Sequence, residues 1–262
     1  MIYDIHCHLD LYEDEEKVKK VIGNARKKDV KVIITNSVDM NSCEINLEYA
    51  KKNSNIVKLA VGFYPKDALD REKESMDIKK RRKDETFEDL KEFALKHKKD
   101  IFAIGETGLD LYNGKDLEEQ KELLKKELEL AEELNIPIII HSRKAEAEVV
   151  EFAKGYKCKR ILHCFNGKIS LAKKAVEYGY YFSIPTNIVR LEHFRTMIKE
   201  LPKDRILTET DSPYLSPFPG EKNEPAFIHE TIKEISKIWN LTEKEVEEVL
   251  WKNFTKVFDY KF

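Results

Sequence analysis

The feature that most constrains this chain is a repeated alternation of short apolar segments with charged ones. Eight apolar runs are rich in β-branched residues, and most are continuously apolar, which is typical of strands buried on both faces of a parallel sheet. Between them lie charged segments with helical periodicity, so the sequence predicts a (β/α)8 barrel of the TIM type. The eight runs are IYDIH (2–6), KVIITN (31–36), VKLAVGF (57–63), IFAIGE (101–106), IPIIIH (136–141), RILHCF (160–165), YYFSIP (180–185) and RILTETD (205–211).

The helical segments carry recognisable stripes and start signals. In the segment after the fourth strand, Asp116 and Glu119 resemble a capping box, and one apolar stripe follows. Its members are Leu117, Leu124, Leu128, Ala131 and Leu134. Thr242 and Glu245 form a second such box, which predicts an additional C-terminal helix packed on the barrel. A chain of 262 residues has the length of one complete barrel, and no linker or repeat is evident, so we expect a single domain over 1–262.

One segment departs from the alternation of strand and helix. Residues 66–85 follow the third strand and are almost wholly polar. We expect a long loop, either an active-site flap or a solvated surface excursion. It should leave the barrel on the side of the active site and be among the more mobile parts of the chain.

Composition excludes several classes of protein. Charged residues make up 37% of the chain but the net charge is −2, which argues against disorder and against a broadly basic nucleic-acid-binding face. No apolar run approaches the ~20 residues that cross a bilayer and no signal pattern begins the chain, so no membrane segment and a cytoplasmic location are predicted. The four cysteines form no CxxC pair, which predicts free thiols in a reducing compartment.

Metal-binding residue types occur at the ends of the predicted strands. The C-terminal ends of barrel strands converge on one mouth, where active sites lie. These side chains should therefore form one cluster, although they are far apart in sequence. They are His6 and His8 after the first strand, Glu106 after the fourth, His141 after the fifth, His163 in the sixth and Asp211 at the end of the eighth.

Each of these residues has an ordinary structural explanation when taken alone. His6 and His8 are two apart, so both point to one face of a strand, with Cys7 on the other. A strand-end histidine can be a hydrogen-bonded core residue, and Glu106 could cap a turn. A carboxylate can also bridge two cations, which an imidazole cannot do. The complete set favours a metal site.

Asp211 is followed after one residue by a proline, so its strand must stop there. A carboxylate beside a divalent metal can bind it, accept a proton from water, or do both. Glu209 would share a strand face with Asp211 under simple alternation and is a weaker candidate for a supporting role. Asp110 is another nearby acid.

Arg143 lies two residues after His141 in the sequence. Its guanidinium could pair with a substrate phosphate or carboxylate. It could equally cap the helix that follows. The sequence leaves both roles open.

A set of short motifs resembles a known family. DIHCHLD, GETGLD, HSR, HCFNG, ETDSPYLSP and NEP occur in this order, and together they resemble the TatD-type metal-dependent deoxyribonucleases of the amidohydrolase superfamily. The resemblance runs from the first residues to NEP at 223–225, with a compatible helical tail. It implies a distorted (β/α)8 barrel, two divalent cations and phosphodiester hydrolysis. By the motif match, one cation would be held by His6, His8, Glu106 and Asp211, and the other by Glu106, His141 and His163.

The chain departs from the family pattern at three places. Tyr64 stands where the family often has histidine before proline, and Asn113 where an arginine often follows GLD. Glu221 and Lys222 precede NEP, where arginine is common. All six ligand positions match, so these departures bear on substrate handling, for which Tyr64 and Arg143 are the candidate binding residues.

The leading functional interpretation is a deoxyribonuclease that acts on single-stranded DNA or DNA ends. A water between two cations would attack phosphorus, with Asp211 and Glu106 as the catalytic carboxylates. The imidazoles favour zinc, whereas a shared carboxylate and phosphate chemistry admit magnesium or manganese. The alternatives are hydrolysis of a small amide, lactone or ester, and a non-catalytic metal-stabilised protein that docks partners through 66–85.

Overall fold

The computed structural model describes residues 1–65, 68 and 85–260. Eight parallel strands form one sheet in which each strand pairs with the next along the chain, and helices lie between them. The predicted (β/α)8 barrel is thereby confirmed. The strands are β1 (Ile2–Cys7), β2 (Val30–Asn36), β3 (Val57–Val61), β4 (Ile101–Asp110), β5 (Ile138–Arg143), β6 (Arg160–His163), β7 (Tyr181–Ile184) and β8 (Ile206–Thr208).

The helices of the described residues follow the predicted alternation, and two of them come after β8. The predicted capping box is present, because Thr242 N donates to Glu245 Oε2 over 2.8 Å and Glu245 N donates to Thr242 Oγ1 over 3.3 Å. The α-helices are α1 (Glu15–Lys27), α2 (Met40–Lys52), α3 (Phe87–Lys96), α4 (Leu117–Leu134), α5 (Glu146–Phe152), α6 (Ile169–Glu177), α7 (Glu192–Glu200), α8 (Ile228–Trp239) and α9 (Glu243–Phe258). Short 3-10 helices occupy Leu9–Leu11, Thr186–Val189, Lys203–Arg205 and Pro225–Phe227.

The barrel is distorted where the last strand meets the first. The prediction of a strand through Asp211 was wrong, because β8 ends at Thr208 and Asp211 has a φ of +55°, outside the extended region. The chain beyond β8 still follows β1, with Asp211 N donating to the carbonyl oxygen of His6 over 2.8 Å. Glu209 and Asp211 both lie beyond the end of β8, so simple strand alternation does not apply to them.

The side chain of Asp4 in β1 links the first strand of the barrel to the segment that follows the last strand. Its Oδ1 accepts hydrogen bonds from Thr210 N at 2.9 Å and His6 N at 3.2 Å, and its Oδ2 accepts one from Thr210 Oγ1 at 2.5 Å. Asp4 is fully buried. A carboxylate therefore satisfies backbone groups that a regular strand ladder would otherwise pair.

Helix α4 packs its predicted apolar stripe against the barrel. Leu124, Leu128 and Ala131 are fully buried, and Asp116 caps the helix by accepting a hydrogen bond from Glu119 N at 3.0 Å. The helix also sends a polar side chain to the end of β4. The amide of Gln120 accepts from the backbone nitrogen of Asp110 and donates to its carbonyl oxygen, over 2.9 and 3.0 Å.

A glycine lets β4 approach β5 closely at a histidine of the predicted cluster. Gly108 is the register partner of His141 and has a φ of +142°. A Cβ at position 108 would lie 2.1 Å from the carbonyl oxygen of His141. No side chain fits there without separating the strands.

All four cysteines are free thiols. Cys7 is fully buried and its thiol donates to the carbonyl oxygen of Ile34 over 3.5 Å. Among the described residues, no helix is both long and apolar enough to cross a membrane. The predicted loop over 66–85 lies outside the described residues except for Ala68 and Glu85, so its placement remains a prediction.

Candidate metal centre

All six predicted cluster residues meet at the C-terminal mouth of the barrel. Glu106 lies at the centre, and its two oxygens face different partners. Oε2 is 3.3 Å from Nε2 of His6 and 3.3 Å from Nε2 of His8. Those two nitrogens are 3.2 Å apart, and Asp211 Oδ1 lies 3.6 and 3.5 Å from them.

The other oxygen of Glu106 faces two further histidines. Oε1 is 2.9 Å from Nδ1 of His141 and 3.1 Å from Nε2 of His163. The two ring nitrogens are 3.0 Å apart. One carboxylate therefore joins two groups of nitrogen and oxygen donors.

The donor spacing fits divalent cations. A tetrahedral site with metal–ligand distances of about 2.0–2.1 Å has ligand–ligand edges of about 3.3–3.4 Å. Glu106 Oε2, the two Nε2 atoms of His6 and His8, and Asp211 Oδ1 form a group of four donors with five separations of 3.2–3.6 Å. Nitrogen lone pairs and carboxylate oxygens that converge so closely, away from water, require protons or a cation between them. The residues present suit a cation.

Tyr64 and Asp110 contact His141 on the side of its ring that faces away from Glu106. Its Nε2, which faces away from Glu106, is 3.0 Å from the hydroxyl of Tyr64. That hydroxyl donates to Asp110 Oδ2 over 2.5 Å, and Asp110 Oδ2 is itself 3.7 Å from the histidine Nε2. Such outer partners set the tautomer and orientation of a metal-binding histidine. Tyr64, a candidate substrate-binding residue from the sequence, is buried and is one of these outer partners of His141.

Glu209 lies behind His163 in a comparable way. Its Oε2 is 3.7 Å from Nδ1 of the histidine and accepts a hydrogen bond from Ser183 Oγ at 2.6 Å. Its Oε1 accepts one from the backbone nitrogen of Cys164 at 2.8 Å. Glu209 thus occupies the supporting position that the sequence suggested, although it lies beyond the end of β8.

Two of the imidazoles at the mouth are buried and stacked on each other. The rings of His6 and His163 are parallel within 5° with centroids 4.0 Å apart. His8 Nδ1 lies 3.0 Å from the carbonyl oxygen of Asn36, which orients Nε2 towards Glu106. Within the described part of the chain, His6, His163 and Glu209 form a third group whose atoms could hold an ion.

Burial and mutual charge shift the pKa values of the site strongly. Burial would raise the pKa of Glu106, but the neighbouring histidines overcome it and hold that pKa well below its usual value. Burial would lower the pKa of His141, but Asp110 and Glu106 raise it to about 9. Burial raises the pKa of Asp4 to about 7 and, with the charge of Asp211, raises that of Glu209 well above normal. The mouth concentrates buried carboxylates that a cation would stabilise.

Asp211 is the more exposed of the two carboxylates in the donor cluster. Its side chain is 15% exposed, against 6% for Glu106. Burial would raise its pKa, but the hydrogen bond with His8 and the neighbouring imidazole charges lower it, so it is ionised at neutral pH. The other acids around the mouth, Asp4, Asp110 and Glu209, are fully buried.

Sequence reasoning missed Asp4 and did not foresee how Tyr64 is used. Asp4 is two residues before His6, so the alternation that paired the two histidines would also have placed it on their face. The contact of Tyr64 with Asp110 joins residues 46 apart in the chain and has no comparable sequence signal.

Arg143 lies at the rim of the mouth and is exposed. Its guanidinium carbon is 4.0 Å from the centroid of the Tyr112 ring. Helix α5 begins after Ala145 without a side-chain cap. The alternative in which Arg143 caps this helix is therefore wrong. Whether Arg143 binds substrate stays a prediction.

A parallel eight-stranded barrel with buried histidines and carboxylates at its C-terminal mouth is the architecture of a metal-dependent barrel hydrolase. The family model described as TatD related DNase matches residues 3–259. The chain belongs to this family and is a metal-dependent hydrolase of the TatD type.

Relatives and solved structures agree with this assignment over almost the whole chain. The chain is 34% identical to an uncharacterized metal-dependent hydrolase of Methanocaldococcus jannaschii, covering 97% of this chain and 96% of that protein. It is 30% identical to the deoxyribonuclease TATDN3 of Homo sapiens, covering 98% and 94%. The crystal structure of a TatD homologue, YJJV from Escherichia coli, superposes with a TM-score of 0.85 at 23% identity over 99% of this chain and 98% of that one, which shows the shared fold.

Proposed function

We propose that this hydrolase is a deoxyribonuclease that uses two divalent cations to activate the attacking water. The observation that carries the proposal is that the two carboxylate oxygens of Glu106 face different donors. Oε2 faces His6 and His8, and Oε1 faces His141 and His163. A carboxylate shared between two donor groups is the arrangement of two-metal phosphodiesterases, in which the cations lie about 3.5–4 Å apart. Asp211 completes the first group.

The cations, when bound, would neutralise charge on the phosphate oxygens and lower the pKa of a bound water. The rest of the chemistry belongs to the chain. Asp211 is ionised and partly exposed, so it can accept the proton of the attacking water. Glu106 spans the two donor groups, and the groups behind His141 and His163 hold these imidazoles in the orientation that the site needs.

Support for DNA as the substrate comes from similarity and from the site. The relative TATDN3 is named a deoxyribonuclease, and the family description names the same activity. The net charge of −2 gives the chain no overall electrostatic attraction for an anionic polymer. Attraction would therefore come from the cations and from placed residues such as Arg143.

The decisive experiment measures metal content and turnover together. The purified protein is analysed for bound metal, stripped with a chelator, and reloaded with zinc, magnesium or manganese before assays on several substrates. We expect hydrolysis of single-stranded DNA and of bis-p-nitrophenyl phosphate, and none without metal. The variant Glu106→Gln should lose turnover, whereas Glu247→Gln, on the outer surface of α9, should not.

The outcomes separate the competing functions. Turnover of neutral amides, lactones or esters with none on phosphodiesters would replace the nuclease by a small-molecule hydrolase. Stoichiometric metal with no turnover on either panel would indicate a metal-stabilised interaction protein. One bound cation at full activity would contradict the two-metal mechanism.

A further inference from the structure

We propose that Tyr112, backed by Arg143, is a stacking platform for an unpaired nucleobase of the substrate strand beside the cluster. This inference rests on the proposed nuclease function and specifies how a single strand is held. The metal centre by itself does not predict that a base of the substrate stacks on this ring.

The platform is built on a rigid turn that continues from the site. Tyr112 lies two residues after β4, and its backbone nitrogen donates to Asp110 Oδ1 over 2.7 Å. The same oxygen accepts the backbone nitrogen of Asn113 at 2.8 Å, and the backbone of Asp110 is held by Gln120. The acid that supports His141 thus also fixes the turn that carries the tyrosine.

Arg143 brings the platform into line with the metal centre. It is two residues beyond His141 in β5, so both side chains project from the same face of the strand, about 6.6 Å apart along it. Asp110 in β4 is the register partner of Arg143, and the backbone nitrogen of Leu111 donates to the carbonyl oxygen of Arg143 over 2.9 Å. The guanidinium covers one face of the Tyr112 ring at 4.0 Å.

The exposure of Tyr112 is unusual for a large aromatic ring. Tyr112 is 60% exposed, the highest value among the exposed large hydrophobic side chains of the described residues. Two others in this group, Leu191 and Phe218, also lie in segments that follow barrel strands. An aromatic ring so exposed beside a candidate active site has apolar surface available for a ligand.

A nucleobase is the occupant that matches these features. Aromatic side chains stack on bases without regard to sequence, and an arginine adds a cation–π contribution. A base inside a duplex is already paired and stacked, so only an unpaired or terminal base can offer its face. A phosphodiester drawn to the metal centre would carry such a base with it.

The test is a double-mutant cycle between the ring and the base. Anisotropy measures binding of the metal-loaded protein to a phosphorothioate single strand and to a fully abasic strand of the same backbone. Tyr112→Ala should bind the base-containing strand roughly 5- to 150-fold more weakly, the factor that stacking of one base contributes. Its affinity for the abasic strand should change less than about 2-fold, because no base is present to stack.

Two variants serve as controls. Tyr112→Phe keeps the ring and should bind both strands within about 2-fold of the original protein. Leu95→Ala removes an exposed apolar side chain of α3, away from the mouth, and should bind both strands normally. Unfolding temperatures confirm that all variants are folded.

The cycle can fail independently of the proposed function. If the unaltered protein cleaves ordinary DNA while Tyr112→Ala binds the base-containing strand normally, the platform is wrong and the nuclease stands. Equal weakening on both strands would also overturn it, because the ring would then act through the backbone. If the unaltered protein neither binds nor cleaves DNA, the proposed function fails and this inference with it.

Discussion

At the residue scale, the charge and basicity of the Asp211 carboxylate separate its role from that of the histidines. It is the partly exposed acid of the mouth and belongs to a group whose other members are almost completely buried. A carboxylate that reaches solvent can exchange protons with water, whereas the imidazoles face Glu106 with ring nitrogens that can hold an ion. Catalysis and metal binding should therefore respond differently to substitution.

We expect Asp211→Asn to lower turnover by ~10²–10⁴-fold, because the amide keeps one ligating oxygen but loses the charge and the basicity. Metal content should fall less than in His141→Ala or His163→Ala, which remove a ligand nitrogen. Steady-state kinetics and metal analysis of the three variants measure both effects. Near-normal turnover of Asp211→Asn at saturating metal would move the proton acceptor elsewhere, and Glu209→Gln would be tested next.

The hydroxyl of Tyr64 should act on metal affinity through His141. Removing it in Tyr64→Phe breaks the link between the histidine and Asp110, and outer partners of metal ligands commonly contribute 10–100-fold in affinity or activity. Competition with a chelating dye should show metal affinity lower by roughly 10-fold or more.

Tyr180→Phe is the matched control for this variant. The hydroxyl of Tyr180 is buried too and donates to the carbonyl oxygen of Val150 over 3.1 Å, away from the site. Both variants should lose about 1 kcal/mol of stability with the hydrogen bond. Only Tyr64→Phe should lose metal affinity, and an equal loss in both would mean that the effect is general destabilisation.

At the element scale, helix α4 does more than cover the barrel. Its buried Glu127 accepts hydrogen bonds from Thr107 Oγ1 and, over 2.7 Å, from the backbone nitrogen of Phe63. Gln120 on the same helix holds the backbone of Asp110. One helix thereby positions both the segment that carries Tyr64 and the acid that pairs with it.

The pairing of β4 with β5 depends on the glycine opposite His141. We expect Gly108→Ala to lower the free energy of unfolding by roughly 1–3 kcal/mol or more, because the added methyl collides with the histidine backbone and the φ of +142° is unfavourable for alanine. Metal affinity should fall with it, since His141 must shift. Urea unfolding and metal titration measure the two effects.

For Gly23→Ala we expect the opposite effect on the free energy of unfolding. Gly23 lies inside α1, and nothing is within 4 Å of a Cβ at that position. Alanine there should raise stability by roughly 0.5–1 kcal/mol and leave the metal centre unchanged. If Gly108→Ala were as harmless, the close approach of β4 to β5 would not be needed.

At the scale of the whole molecule, the bound cations should contribute to the stability of the barrel. The centre joins strands from both halves of the chain, and its buried carboxylates repel one another without a counter-charge. A ligand present at about 100 times its Kd stabilises the native state by about 2.7 kcal/mol.

Chelation should therefore lower the unfolding temperature of the protein by roughly 5–10 °C. Differential scanning calorimetry with and without EDTA measures the shift, and added zinc or magnesium should reverse it. The double variant His141→Ala with His163→Ala should show a smaller shift. An unfolding temperature unaffected by EDTA in protein that had contained metal would show that the cations do not stabilise the barrel.

Much of the molecule could be predicted because its signals are local. Continuous apolar runs mark buried parallel strands, and the helix stripe with Leu124 and Leu128 follows from a period of 3.6 residues. The convergence of His6 and Asp211 required only the rule that strand ends meet at one mouth of a barrel. The fold class and the members of the donor cluster were therefore accessible from the sequence.

Only the tertiary structure decided how these residues are oriented and supported. The left-handed Asp211, the Asp4 carboxylate that bridges the barrel ends and the Tyr64–Asp110 pair behind His141 all depend on contacts between distant segments. Such contacts leave no periodic pattern, because each is selected by the shape and hydrogen-bonding needs of one buried place. The sequence by itself determined which chemical groups reach the mouth, and the packing of the barrel decided which atom of each group faces Glu106.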